Sequence, residues 1–279
     1  MSRLHPLFAV SLLCLSVVLI PRLSLAESAP AHTAEQPDLE REKRLVAEIE
    51  DGIFDGEVIF LDAGDASDHE FMAIDMEPDD EARGGVILLH GRGYHADWEY
   101  VINPMRVKLA EEGWRTLSLQ MPVLEKDAKY YDYVPLFDDA HPRIEAAIAH
   151  LKAQGIENIV LFSHSCGVHM AMDWVRNKGD GGISAFIGAG MGATDYQQKM
   201  AKPFPLDGMK VPVLDIYGSE EFNGVLRMAP ERLEAIKKAN NPKSSQQIVE
   251  GANHYFNTEE QSEELAEAVS AWLGTLGLE

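Results

Sequence analysis

Cysteine is almost missing from this chain of 279 residues, which holds only Cys14 and Cys166. Two thiols allow at most one bridge, so a disulfide framework is excluded as the source of stability. Basic residues are scarce as well, with 24 Lys and Arg against 46 Asp and Glu and a formal charge of −22. Such a chain has no cationic surplus with which to neutralise phosphates, which argues against nucleic acid or an anionic lipid surface as a general partner. Glycine-rich phosphate loops are missing after the early strand-like runs, and no His pair at i, i+4 spacing stands beside a carboxylate. Neither a nucleotide cofactor nor a zinc centre is indicated. The longest apolar run, residues 7–20, falls short of the roughly 20 residues that a helical span needs. What remains is a composition of 46% hydrophobic and 25% charged residues, which supports a folded core and excludes a disordered tail or a fibrous repeat.

The first 26 residues carry an export pattern. Arg3 and His5 open a short polar start, the apolar run follows, and Ser24-Leu25-Ala26 is a small-x-small cleavage site. The mature chain is expected to begin at Glu27, to sit in the periplasm or outside the cell, and to keep no membrane anchor. Cys14 lacks the small residues that precede a lipoprotein cysteine, so no lipidation is expected. Loss of Arg3 and Arg22 would move the charge to −24 and leave Cys166 as the sole thiol. Acid is concentrated early: residues 27–81 hold nineteen Asp and Glu against Arg41, Lys43 and Arg44. A solvated face is the simplest account of that excess. Residues 27–54 read as an acidic leader ending in a short amphipathic helix, with Leu45, Val46 and Ile49 on one face of residues 39–53.

Residues 57–61 and 70–76 alternate as strands around a polar stretch, Asp62 to Asp68, the pattern of a hairpin with a longer loop. The acids Asp62, Asp65, Asp68 and Glu70 lack the glycine and terminal-glutamate spacing of a calcium loop. Thereafter come short uninterrupted apolar runs at 85–89, 115–119, 158–162, 183–188, 211–217 and 246–249. Unbroken runs of this kind are strands covered on both faces, and the helical patterns between them (98–112, 142–154, 166–177, 230–239, with 259–276 at the end) are parallel crossovers. The expectation is a doubly wound α/β domain over residues 55–279.

In such a sheet chemistry collects just after the strands. The run 158–162 leads into Ser163-His164-Ser165-Cys166-Gly167 and then a helix. Small residues two before and two after a central serine permit a cramped strand-to-helix turn, which lifts Ser165 and aims its hydroxyl outward. The Cys166 amide then points from a helix N-terminus at a developing oxyanion. Cys166 itself turns inward and packs as a small apolar side chain. After the last strand-like run stands His254, an imidazole able to take the serine proton. Its orienting acid is expected after the run 211–217, in Gly218-Ser219-Glu220-Glu221: Glu221 first, Glu220 second, with Asp215 and Asp195 also open. A glycine-bracketed turn, His90-Gly91-Arg92-Gly93, offers the Arg92 amide as a second oxyanion donor.

These signals, in the order serine, acid, histidine, make residues 55–276 resemble the α/β-hydrolase superfamily. The resemblance implies an α/β-hydrolase fold: a mostly parallel eight-stranded sheet flanked by helices, with an N-terminal antiparallel hairpin. It also implies acyl-serine chemistry on a small-molecule ester or thioester, with Ser165, His254 and Glu221 as triad. Glu stands where Asp is commoner, and the elbow opens with Ser in place of Gly; both substitutions keep the chemistry. Residues 190–210 leave no room for a large lid domain, so a small open pocket is expected. Tyr94, Trp98, Tyr130, Tyr131, Tyr133 and Phe137 are candidates for its walls, with packing on the core as the equal alternative. The rival reading is a catalytically silent hydrolase fold serving as a periplasmic binding or assembly module; Ser165 and His254 on opposite faces of the sheet would decide against the enzyme.

Overall fold

The computed structural model describes residues 36–64 and 69–278, besides Met1. The export signal, its cleavage site and Cys14 lie outside the described residues, as do residues 65–68 of the hairpin loop. Among those described, no helix is long and apolar enough to cross a membrane. The elements run α1 (Leu39–Glu50), β1 (Glu57–Asp62), β2 (Glu70–Met76), β3 (Gly84–Leu89), α2 (Ile102–Glu111), β4 (Trp114–Leu119), α3 (Tyr130–Tyr133), α4 (Phe137–Ala153), β5 (Ile159–His164), α5 (Cys166–Lys178), β6 (Ala185–Ala189), β7 (Val213–Glu220), α6 (Asn223–Ala239), β8 (Ser245–Asn253) and α7 (Glu259–Gly274).

The strands make one sheet in the order β1-β2-β4-β3-β5-β6-β7-β8. The pairs β1/β2 and β2/β4 are antiparallel, and all others are parallel. Every residue of β3, β5 and β6 is buried, as uninterrupted apolar runs require. Successive side chains go to opposite faces. Val86 and Leu88 enter one apolar cluster with Met105 and Leu109 of α2 and Val269 and Trp272 of α7; Ile87 and Leu89 enter the other with Ile144 and Leu151 of α4 and Val168 and Met172 of α5. Because β3 lies between β4 and β5, the chain reverses its lateral progress there, and the carboxyl ends of β3 and β5 stand side by side at a topological switch point.

Two helices begin earlier than a proline at their first position would suggest. The helices expected from 142 and 230 start at Phe137 and Asn223, with Pro142 and Pro230 in their interiors. Interior proline forfeits a backbone bond and costs about 3 kcal/mol. Burial of Phe137, Ala140 and His141 in the added turns of α4, and of Val225 and Ala229 in α6, offsets it. The short α3 had no periodic signal to announce it.

Helix α1 is docked on the sheet. Its Val46 and Ile49 pack on Met72 and Ile74 of β2. Its Glu42 is buried and takes two hydrogen bonds, at 3.0 and 3.1 Å, from Arg143 of α4, which also donates to the Gln120 carbonyl at 2.7 Å. Between β6 and β7 the chain holds only one 3-10 turn, Leu206–Gly208, so among the described residues no lid domain is inserted there.

Candidate active site

Ser165 is the single residue between β5 and α5, and it sits at φ 55°, ψ −117°. Positive φ is uncommon outside glycine and persists only where the surroundings impose it. Here they do: the Ser165 amide donates to the Ala189 carbonyl at 2.9 Å, and its carbonyl accepts from the Val168 amide at 3.0 Å. Gly167 permits the turn, since a Cβ there would come within 2.6 Å of the His90 carbonyl oxygen. Ser163 is buried, its hydroxyl 3.4 Å from the Ile187 carbonyl. A Cβ on Gly91 would lie 3.1 Å from Ser165 Cβ, so the turn after β3 rests directly against the elbow. The Arg92 and Cys166 amides follow in these two abutting turns.

The end of β8 brings His254 to the same place. Its Nε2 is 2.8 Å from Ser165 Oγ, and its Nδ1 is 2.6 Å from Glu221 Oε1. A carboxylate can only accept, so Nδ1 carries the proton and Nε2 is left to accept from the serine hydroxyl. Glu221 Oε1 also accepts from the Phe222 amide at 2.7 Å. Both His254 and Glu221 are buried. Ser165 and His254 thus meet on one side of the sheet, and the arrangement that would rule out the enzyme reading, the two on opposite faces, is not the one adopted.

Of the three competing acids, Asp215 and Asp195 are engaged elsewhere. Asp215 is fully buried against Arg232, 2.8 Å, and Gln246, 2.7 Å; burial raises its carboxyl above the ordinary value despite these partners. Asp195 holds Arg92 through two 3.0 Å bonds and accepts from the Tyr130 amide at 2.6 Å. Burial pushes that carboxyl up, but the bonds from Arg92 and Tyr130 outweigh it and leave it low. Glu220 is exposed. Cys166 is buried, which drives its thiol up to about 12 and removes it as a rival nucleophile.

Buried histidines brace the site. His164 donates from Nε2 to the His254 carbonyl at 2.9 Å, and burial followed by the nearby His254 holds it well below its usual value, hence neutral. His90 accepts at Nε2 from the Met121 amide, 2.9 Å, which places its proton on Nδ1 facing the Gly91 carbonyl at 2.8 Å. Burial lowers His90 to about 3 and His169, bonded to the Ala193 carbonyl, to about 4. Asp138, His141 and Asp173 bring ligand-type atoms within 4.8 Å of one another. Asp173 already meets Arg176 and Lys202 at 2.8 Å, so cationic side chains occupy it.

Above Ser165 and His254 lies an open cleft of about 230 Å³. Of the six aromatic candidates only Tyr94 and Tyr130 line it. Trp98, Tyr133 and Phe137 are core side chains, and the exposed Tyr131 bonds the Lys199 carbonyl away from the cleft. Two others take their place: Phe222 stacks on the His254 ring at 4.2 Å, and Tyr255 meets it edge-on at 5.2 Å. Each is the immediate neighbour of a triad candidate, the one signal that pointed to them. Arg92, Lys126 and Lys129 also line the cleft.

A family model described as "Protein of unknown function (DUF3530)" matches residues 8–132 and 138–275. The chain belongs to DUF3530. No curated protein matches its sequence. Among solved structures, this DUF3530 chain is similar to Est1E from Butyrivibrio proteoclasticus, at 16% identity and TM-score 0.59 over 78% of this chain and 98% of that one. It is similar to XC6422 from Xanthomonas campestris, described as a member of a/b serine hydrolase without lid, at 13% identity and TM-score 0.57 over 80% and 95%. It is also similar to Thermogutta terrifontis esterase 2 phosphoramylated by tabun, at 16% and 0.59 over 79% and 95%. The fold of this DUF3530 protein is that of the α/β-hydrolase superfamily.

Proposed function

We propose that this chain is an exported serine hydrolase that cleaves a small acyl ester or thioester through an acyl-enzyme. The observation that carries the reading is the unbroken line from Ser165 Oγ through His254 to Glu221 Oε1, 2.8 and 2.6 Å, beginning on a residue at positive φ. Similar structures described as esterase or serine hydrolase support the same class of chemistry.

In this reading His254 Nε2 takes the Ser165 proton as Oγ bonds to the acyl carbon, and the carbonyl oxygen gathers negative charge facing the Cys166 and Arg92 amides. Collapse expels the alcohol or thiol, which takes its proton from His254 Nε2. Water then attacks the acyl-serine with the same base and the same proton return. Glu221 keeps the ring in the Nδ1–H tautomer and balances the imidazolium charge. The cleft of about 230 Å³ suits a short acyl group.

Turnover of an ester, thioester and amide panel tests this. Wild-type protein is expected to hydrolyse a short ester or thioester, and Ser165→Ala to lose roughly 10⁴-fold or more in kcat. Equal rates in the two proteins overturn the reading. The exported location is tested by N-terminal sequencing of the mature protein from its native host, with Glu27 as the expected first residue.

A further inference from the structure

The chain is strongly acidic, yet its cleft is not. The lining includes Arg92, Lys126 and Lys129 and no aspartate or glutamate. In a chain with 46 acidic and 24 basic residues, composition favours the opposite sign. The segment Glu125-Lys126-Asp127-Ala128-Lys129 makes the selection visible: it holds two acids and two lysines, and only the lysines, with Ala128, face the cleft. Arg92 is balanced by Asp195, which fixes its guanidinium in place, whereas both lysines are exposed and offer their charge to whatever enters. Aromatic faces of Tyr94, Phe222 and Tyr255 stand around the same opening. Low-dielectric walls of one sign focus the field and concentrate ligands of the opposite sign.

Resting on the hydrolase reading above, we propose that the substrate is a small ester that carries its own negative charge, its anionic group facing Lys126 and Lys129 while the acyl carbon meets Ser165. The cleft thus repeals locally the repulsion that a chain of charge −22 would impose on an anion.

The test compares para-acetoxybenzoate with its neutral methyl ester, two probes of nearly the same shape. The readout is the ratio of their kcat/KM values in the wild type, in Lys126→Glu/Lys129→Glu and in Lys152→Glu. Lys152 lies in the last turn of α4, near the start of β5 and so at the opposite end of the sheet. The cleft variant is expected to lower the ratio about tenfold, the size of two partly exposed charge pairs. Lys152→Glu should leave the ratio at the wild-type value, and added salt should erase the wild-type preference. An unchanged ratio in the cleft variant overturns the proposal while leaving the hydrolase reading intact. Binding of both probes to Ser165→Ala separates the two claims. Tighter binding of the anion, lost with the two lysines, supports the proposal even if the wild type hydrolyses neither probe, a result that would count against the hydrolase reading alone. Equal binding of the two probes counts against the proposal.

Discussion

His254 has a defined task only because its two ring nitrogens meet different partners, an acceptor-only carboxylate at Nδ1 and a hydroxyl at Nε2. Replacing Glu221 by Gln permits the wrong tautomer, and kcat is expected to fall by roughly 10³–10⁴. Asp195→Asn, Asp215→Asn and Glu220→Gln should not reproduce that loss; if any does and Glu221→Gln does not, the acid is misassigned. Gly190 gives a second handle. It sits at φ +64°, and a Cβ there would lie 3.0 Å from His254 Cε1 and 3.2 Å from Glu221 Oε2. Gly190→Ala is expected to displace the ring and lower kcat about 100-fold, the cost of an ångström-scale misplacement; unchanged kcat would show the pair to be tolerant. At this scale the meeting of Ser165 and His254 was legible in the sequence because an elbow is a local pattern and the order serine then histidine, with the histidine after the final strand, can be read along the chain. Glu221 stood out less, since four carboxylates were available and only the tertiary contacts separate them. Phe222, Tyr255 and the cleft-facing lysines were not legible, because loop paths decide which side chains line an opening.

Among the elements, α1 does more than lead into the domain. Arg41 donates to the Gly93 carbonyl at 3.0 Å and to the Leu124 carbonyl, tying together the loops after β3 and β4. Those loops carry Arg92 and Lys126 to the cleft. Arg41→Met is expected to lower kcat/KM about tenfold, with a stability loss of about 2 kcal/mol from charged hydrogen bonds. Full activity of that variant in steady-state assays would reduce α1 to a packing role. The strands were readable because burial on both faces leaves an unbroken apolar run. Helix starts were not, because Pro142 and Pro230 read as first-turn residues until the buried side chains ahead of them are seen.

Over the whole molecule, the buried neutral histidines set the response to acid. His90, His164 and His169 are held uncharged in the fold by burial, while in the unfolded chain they take a proton near pH 6.5. Folded values depressed in this way give stability that is complete above about pH 6.5 and lost as the pH falls, each histidine contributing roughly 1.4 kcal/mol per pH unit. Ordinary carboxylates do not protonate appreciably until below about pH 5, and Asp215, which burial raises, works in the opposite direction as the pH falls, so the comparison with a histidine variant over about pH 6.5 to 5 isolates the effect. The urea midpoint is expected to fall across it, less steeply in His169→Gln; a flat profile would contradict the neutral assignment.

The central claim, that Ser165 is a nucleophile activated by His254, is tested most directly by intact-protein mass spectrometry after treatment with a fluorophosphonate. The account predicts a single adduct on the peptide holding Ser165, absent from Ser165→Ala and formed at least about 100-fold more slowly by His254→Ala. A folded wild-type protein that stays unmodified, or one labelled at another residue, would contradict it.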